Sequence, residues 1–263
     1  MERPSTVSSV SPMAPSSARR SGFTLVELLA VIMIIALLAG LVTPAVMRAR
    51  NSARNAAIKA EIDMLHMAIM NYKNEYGSFP PSNDPNPKLA GSPTAKHLQR
   101  LFPRCVATTQ LATANDPITP MNALVSWLSG FRNDPQNPII DPTTPALPAT
   151  DRKKLFDFDQ TRLSGATYTP AGKKGSPYIY IDSASYLVSG SPPTIPTWPL
   201  TGGTYYPVRQ PNAAGAMNDP TMPAFNADTF QILSAGQDEE FGTDDDLSNF
   251  WKGTRKEYLS SLQ

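Results

Sequence analysis

One carboxylate opens one long apolar run, and that pairing restricts the fold of this chain more than any other feature. Residues 28–47 contain no charge over 20 positions. A helix of that length spans the hydrocarbon core of a bilayer. Glu27 sits at the N-terminal edge of the run, shortly after Arg19 and Arg20. An ionised acid taken into hydrocarbon costs about 2.5 kcal/mol or more, so it marks a functional position. Such an acid is tolerated where it meets a buried cation. A secretory signal has an apolar core of about 7–15 residues followed by a small-residue cleavage site. This run is longer, and the charge inside it argues against that reading.

The junction Gly22-Phe23-Thr24-Leu25-Val26-Glu27 resembles the processing signal of type IV pilins and type II secretion pseudopilins. The resemblance rests on a Gly before the cut, a Phe after it and a Glu as the fifth residue of the cut chain. It implies that a prepilin peptidase cleaves between Gly22 and Phe23 and methylates the Phe23 amine. It also implies that Glu27 neutralises that amine, on a neighbouring subunit, during filament assembly. Residues 1–22 then form a leader peptide, rich in Ser and Pro. Arg48, Arg50, Arg54 and Lys59 follow the run and outnumber the leader's arginines. Loop charge therefore gives no clear orientation, and the cytoplasmic side of the leader is implied by the resemblance alone.

Beyond the apolar run, Ile58, Ile62, Leu65, Ile69, Tyr72 and Tyr76 recur in steps of four and three. That spacing predicts one apolar stripe along a helix. Lys59, Glu61, Asp63, Lys73 and Glu75 fall mostly off it. Gly77 is a natural C-cap, and Pro80-Pro81 forbids continuation. One helix is therefore expected over 23–76, apolar all round in its first half and amphipathic in its second. Pro44 is expected to kink or locally unwind it. The domain plan is a leader at 1–22, a transmembrane and filament-core helix at 23–47, its amphipathic half at 48–78 and a globular region at 79–263.

Of 27 prolines, 23 lie in 80–263, which rules out long helices and wide central strands there. Short helices are predicted at Thr94–Leu101 and Asn122–Leu128, the latter capped by Asn122. Strands with half-buried character are predicted at Tyr178–Asp182, Ser185–Val188 and Thr229–Ser234. Residues 190–224 read as a long surface loop. The fold class is α+β: a long N-terminal helix on a small antiparallel sheet with long Pro-rich loops, the arrangement the pilin resemblance also implies.

Six acids fall within nine residues of the segment Asp238-Glu239-Glu240-Phe241-Gly242-Thr243-Asp244-Asp245-Asp246. Charges this dense repel and call for a countercharge, and Ca²⁺ with 6–8 oxygen ligands suits a flexible loop of carboxylates and carbonyls. A solvated acidic turn is the alternative, and the spacing is not that of an EF-hand. The ending Asp246-Leu247-Ser248-Asn249-Phe250 resembles the calcium loop of major pseudopilins. That likeness implies Asp238 and Asp246 as side-chain ligands, Asp244 or Asp245 as the third, and the Ala235 carbonyl as a backbone ligand.

Other chemistry finds little support. The single cysteine, Cys105, forms no intramolecular disulfide and reads as a small buried residue. The two histidines, His66 and His97, read as packed or exposed side chains rather than ligands. No hydrolase, zinc-protease, nucleotide or dinucleotide signature occurs, so no enzyme is expected. The net charge of +1 gives no reason to expect nucleic acid. The function implied by the resemblance is a structural subunit of a type II secretion pseudopilus. It would sit in the inner membrane by one span with a periplasmic domain, and polymerise with itself. Its other partners would be the prepilin peptidase, further pseudopilins and the inner-membrane secretion platform. A type IV pilin for adhesion or DNA uptake, and a Ca²⁺-dependent binding module on a pilin-type anchor, are the competing expectations.

Overall fold

The computed structural model describes residues 23–87, 89–105, 117–136, 138, 152–172, 175–187, 207–217 and 221–262. Residues 1–22, the expected leader, lie outside these, and with them Gly22 of the expected cleavage site. The chain divides into two compact units, Met1–Ala49 and Arg50–Gln263. Helix α1, Leu25–Tyr76, contributes to both.

In the first unit every described residue is exposed. This part of α1 is long and apolar enough to cross a membrane. It runs without a break through Pro44, so the local unwinding expected there does not occur. Thr43 Oγ1 donates to the Ala39 carbonyl at 2.7 Å, a back-bond that helical Thr makes readily.

In the second unit the stripe is buried as its spacing predicts: Ile62, Leu65, Ile69 and Tyr72 are fully covered. The helix stops at Tyr76, and Gly77 follows at φ 81°, the left-handed C-cap conformation that suits glycine. Glu61, expected off the stripe, is buried with it. It lies three residues after Ile58 and four before Leu65, so helical geometry puts it on the same face.

Two short helices follow. α2, Pro93–Leu101, starts where Ser92 Oγ accepts from the Ala95 amide at 3.1 Å. α3, Ala123–Leu128, starts after Asn122, but Asn122 makes no cap bond to it. Its Oδ1 instead accepts from the Thr119 amide at 2.8 Å, tying down the preceding turn.

Among the described residues, seven short strands form three antiparallel sheets. β1, Phe131–Arg132, pairs with β2, Arg152–Lys153. β3, Leu163–Ser164, pairs with β4, Thr167–Tyr168. The main sheet has the order β5-β6-β7, from Ile179–Asp182, Phe230–Ser234 and Leu247–Ser248. Its strands are covered on both faces, not half-buried as their β-branched and aromatic content suggested. Tyr180, Phe230 and Ile232 join the core around α1. Ile179, Ile181 and Leu233 point the other way, into a second cluster with Val208 and Trp251. The last helix, α4 at Arg255–Ser260, opens with a capping box between Thr254 and Glu257.

Residues Ser183–Leu187 form a 3-10 turn rather than the strand predicted at Ser185–Val188; Val188 lies outside the described residues. The cause is local. Asp182 accepts from the Ser185 hydroxyl at 2.5 Å and from the Ser82 amide and hydroxyl at 2.8 and 2.6 Å. Side-chain bonds of this kind compete with a ladder for the backbone.

Candidate assembly residues and the acidic loop

The start of α1 is built around Thr24 and Glu27. Thr24 Oγ1 accepts from the Glu27 amide at 3.2 Å. Glu27 Oε2 in turn accepts from the Thr24 amide at 2.8 Å and its hydroxyl at 2.7 Å. This reciprocal pair satisfies two donors that a helix start leaves open. It engages only Oε2; Oε1 has no hydrogen bond among the described residues. The carboxylate is thus held in a fixed rotamer with one oxygen free for an outside donor. Phe23 precedes the box and is exposed.

The acidic loop connects β6 to β7. Gly236, at φ 63°, makes the turn, and a Cβ there would collide with the backbone carbonyl and carboxylate of Asp245. Asp245 lies inside the loop: Oδ2 accepts from the amides of Gln237 and Asp238, and Oδ1 from the Thr243 hydroxyl at 2.8 Å. Burial acts to raise its pKa, but these hydrogen bonds prevail and hold it below the usual carboxylate range. Asp246 is fully buried. Its Oδ2 accepts from the Gly242 amide at 2.7 Å, while Oδ1 is buried without a partner. Burial pushes the Asp246 carboxyl up to about 8, against the Gly242 bond and the Arg255 charge, and Asp245 and Asp238 add to the rise.

Asp238 and Asp244 face outward. Asp238 Oδ1 accepts from the Glu240 amide at 2.8 Å. Asp244 lies 3.3 Å from Lys256 Nζ with both side chains largely exposed. The loop is tied down by Glu239, whose Oε2 accepts from the Gly175 amide at 2.8 Å and whose carbonyl accepts from Ser176 Oγ at 2.5 Å. Among the described residues no three acidic, His or Cys side chains already converge as a metal centre. The orphaned Asp246 oxygen and the neighbouring carboxylates are oxygen donors of the kind a hard cation takes.

Sequence reasoning missed a buried carboxylate on α1 whose three donors are all side chains. Glu61 accepts from Arg162 Nη2 at 2.5 Å, Tyr168 Oη at 2.8 Å and Tyr178 Oη at 2.6 Å. Its place between Ile58 and Leu65 was the available signal.

The histidines and Cys105 are structural. His66 stacks obliquely on Phe230 at 4.9 Å, with Asn249 Nδ2 3.1 Å from Nδ1. Cys105 is buried, and burial raises its thiol pKa. His97 is buried between Tyr72, 2.8 Å from Nε2, and Arg100, 3.3 Å from Nδ1. A guanidinium only donates, so Nδ1 accepts and the imidazole proton sits on Nε2, donating to Tyr72.

Burial, and then the Arg100 charge, holds His97 down to about 4. The unfolded chain takes up a proton between that value and about 6.5 that the folded chain refuses. His97 therefore supports folding fully above about pH 6.5 and loses about 3 kcal/mol as the pH falls to 4. Asp246 has the opposite sign, since its folded pKa is raised and its contribution falls as pH rises towards 8. Urea unfolding from pH 7.5 to 4 isolates the His97 part by difference. His97→Gln should flatten the acid limb relative to wild type, and parallel curves would refute the assignment.

Residues 17–43 match the family model described as the prokaryotic N-terminal methylation motif. No curated protein and no solved structure matches the chain.

Proposed function

From the prepilin-type N-terminal motif and the pilin-like α+β arrangement, we propose that this chain is a pilin-like subunit of a type II secretion pseudopilus. The motif supports the coarser part of this reading: processing by a prepilin peptidase, a single-pass membrane anchor and assembly as a pilin-like subunit. The observation that carries it is the match at 17–43, ending within a helix long and apolar enough to cross a membrane. In the proposed mechanism cleavage after Gly22 frees the Phe23 amine, which is then methylated. Glu27, with Oε2 held by Thr24, offers Oε1 to the Phe23 amine of the next subunit. Pairing the two charges offsets the cost of burying either one. The apolar helices then pack as the filament core, the second unit stays on the periplasmic side, and the subunit itself performs no catalysis.

The secretion branch is favoured over an adhesive pilin by the acidic loop. In this reading Asp246 and Asp238 hold Ca²⁺ with Asp245 or Asp244 and the Ala235 carbonyl. Asp245 is the better third ligand because its carboxylate already lies inside the loop. The bound cation supplies the charge that the buried Asp246 lacks.

The test is thermal melting of the second unit, from Arg50 onward, with calcium and with chelator. A ligand at 100 times its Kd adds about 2.7 kcal/mol to stability, or roughly 5–10 °C for a domain of this size. Asp246→Ala should abolish the calcium response. An equal melting temperature with and without calcium would return the loop to a solvated turn and the protein to a general pilin-like subunit. Mass spectrometry of the membrane form tests the other half of the reading, which requires a new N-terminus at N-methylated Phe23.

A further inference from the structure

The second unit carries opposite charge at opposite ends of its helix. At one end, Gln237 Nε2 donates to Asn55 Oδ1 at 2.9 Å, so the acidic loop lies beside the first turns of α1 in this unit. At the other, Lys153 Nζ meets Glu75 Oε1 at 2.7 Å, so the β1–β2 ladder lies beside the last turn. Roughly twenty residues of helix, about 30 Å, separate these anchors.

The ladder places Arg132 directly opposite Arg152. Like charges facing each other across a strand pair are destabilising. Neither guanidinium has an acid partner among the described residues, and Arg152 Nε is buried without an acceptor. The neighbouring cations are already matched, Lys153 by Glu75 and Lys154 by Asp157 at 3.0 Å. In the acidic loop, Glu240 is exposed and its carboxylate has no partner among the described residues, with exposed Asp238 beside it.

We infer that Arg132 and Arg152 of one subunit receive Glu240, in the acidic loop, of a second copy. The inference rests on the filament reading above and names the contact between its extracytoplasmic units. Two facing guanidiniums present the forked donors that a carboxylate accepts best. Two complementary patches at opposite ends make the contact head-to-tail, and a head-to-tail contact that does not close into a ring propagates as a helical filament. The net charge of +1 supplies no general attraction between copies, so specificity comes from these local patches.

The test uses the full-length chain in membranes, with Cys105→Ser as background. Two co-expressed copies carry Arg152→Cys and Glu240→Cys respectively, and a separate Ile32→Cys form reports contact between apolar helices. The expected result is a strong 152–240 disulfide with weak 152–152 and 240–240 links. Arg132→Glu with Arg152→Glu should block assembly, and adding Glu240→Arg should restore it. If the Ile32 cross-link forms but the 152–240 link does not, or if the charge swap restores nothing, the head-to-tail contact is wrong while the filament reading stands. Absence of the Ile32 cross-link as well would overturn both.

Discussion

Replacing Glu61 with alanine is expected to destabilise the second unit by about 3–5 kcal/mol, the range found when one member of a buried ion pair is removed. The carboxylate side chain is 10% exposed and its Arg162 partner 18%. Arg162 also lies over the Tyr168 ring, 4.4 Å from its centroid. Without Glu61 this cation stays largely desolvated with no countercharge, and the Tyr168 and Tyr178 hydroxyls lose their acceptor. Both phenols are held neutral, since burial first and the Glu61 charge and hydrogen bond with it push their pKa values far above the ordinary range. They therefore remain donors at any working pH. In thermal melting of the unit, Glu61→Ala should lower Tm by roughly 10 °C. Tyr168→Phe and Tyr178→Phe remove one neutral-to-charged bond each and should cost about 1.5–3 kcal/mol. A loss below about 1 kcal/mol for Glu61→Ala would show that water enters the site and that the network adds little.

The second large effect concerns Glu27. In the filament reading, Glu27→Ala should abolish polymer while the chain still inserts, is cleaved after Gly22 and is methylated at Phe23. Insertion itself should not suffer, because removing an acid from an apolar run lowers its transfer cost. What is lost is the acceptor for a neighbour's amine, so the defect appears only when helices associate. Glu27→Gln keeps an oxygen for Thr24 but not the charge, and should assemble poorly. Thr24→Ser keeps the cap and should assemble normally. Cross-linking in the membrane and N-terminal mass spectrometry of the same samples separate assembly from processing. Normal polymer from Glu27→Ala would instead favour a binding domain on a pilin-type anchor, which needs no contact between neighbours.

The elements legible from sequence are those whose cause lies within a few residues. The uncharged run at 28–47, the stripe from Ile58 to Tyr72 and the stop at Gly77 follow from helical periodicity and capping alone, and the structure has them. The same holds for α2 with its Ser92 cap and for the strand segments at 179–182 and 230–234. The density of acid between Asp238 and Asp246 was also visible. Which of those acids is buried was not: Asp246 is enclosed because β7 begins next to it and pairs with β6, whereas Asp244 reaches solvent and Lys256.

Folding contacts between distant segments account for the rest. Helical phase puts Glu61 on the buried face, but nothing local says which groups would satisfy its carboxylate. Its three donors come from 101, 107 and 117 residues further on, and no local signal announces them. The facing pair Arg132 and Arg152 exists only because β1 meets β2. The main sheet is buried on both faces because Val208, Phe225, Trp251 and Tyr258 cover the side turned away from α1. Periodicity and propensity act over one or two turns of chain. Burial, ion pairing and the meaning of a charge depend on which remote segment arrives beside it.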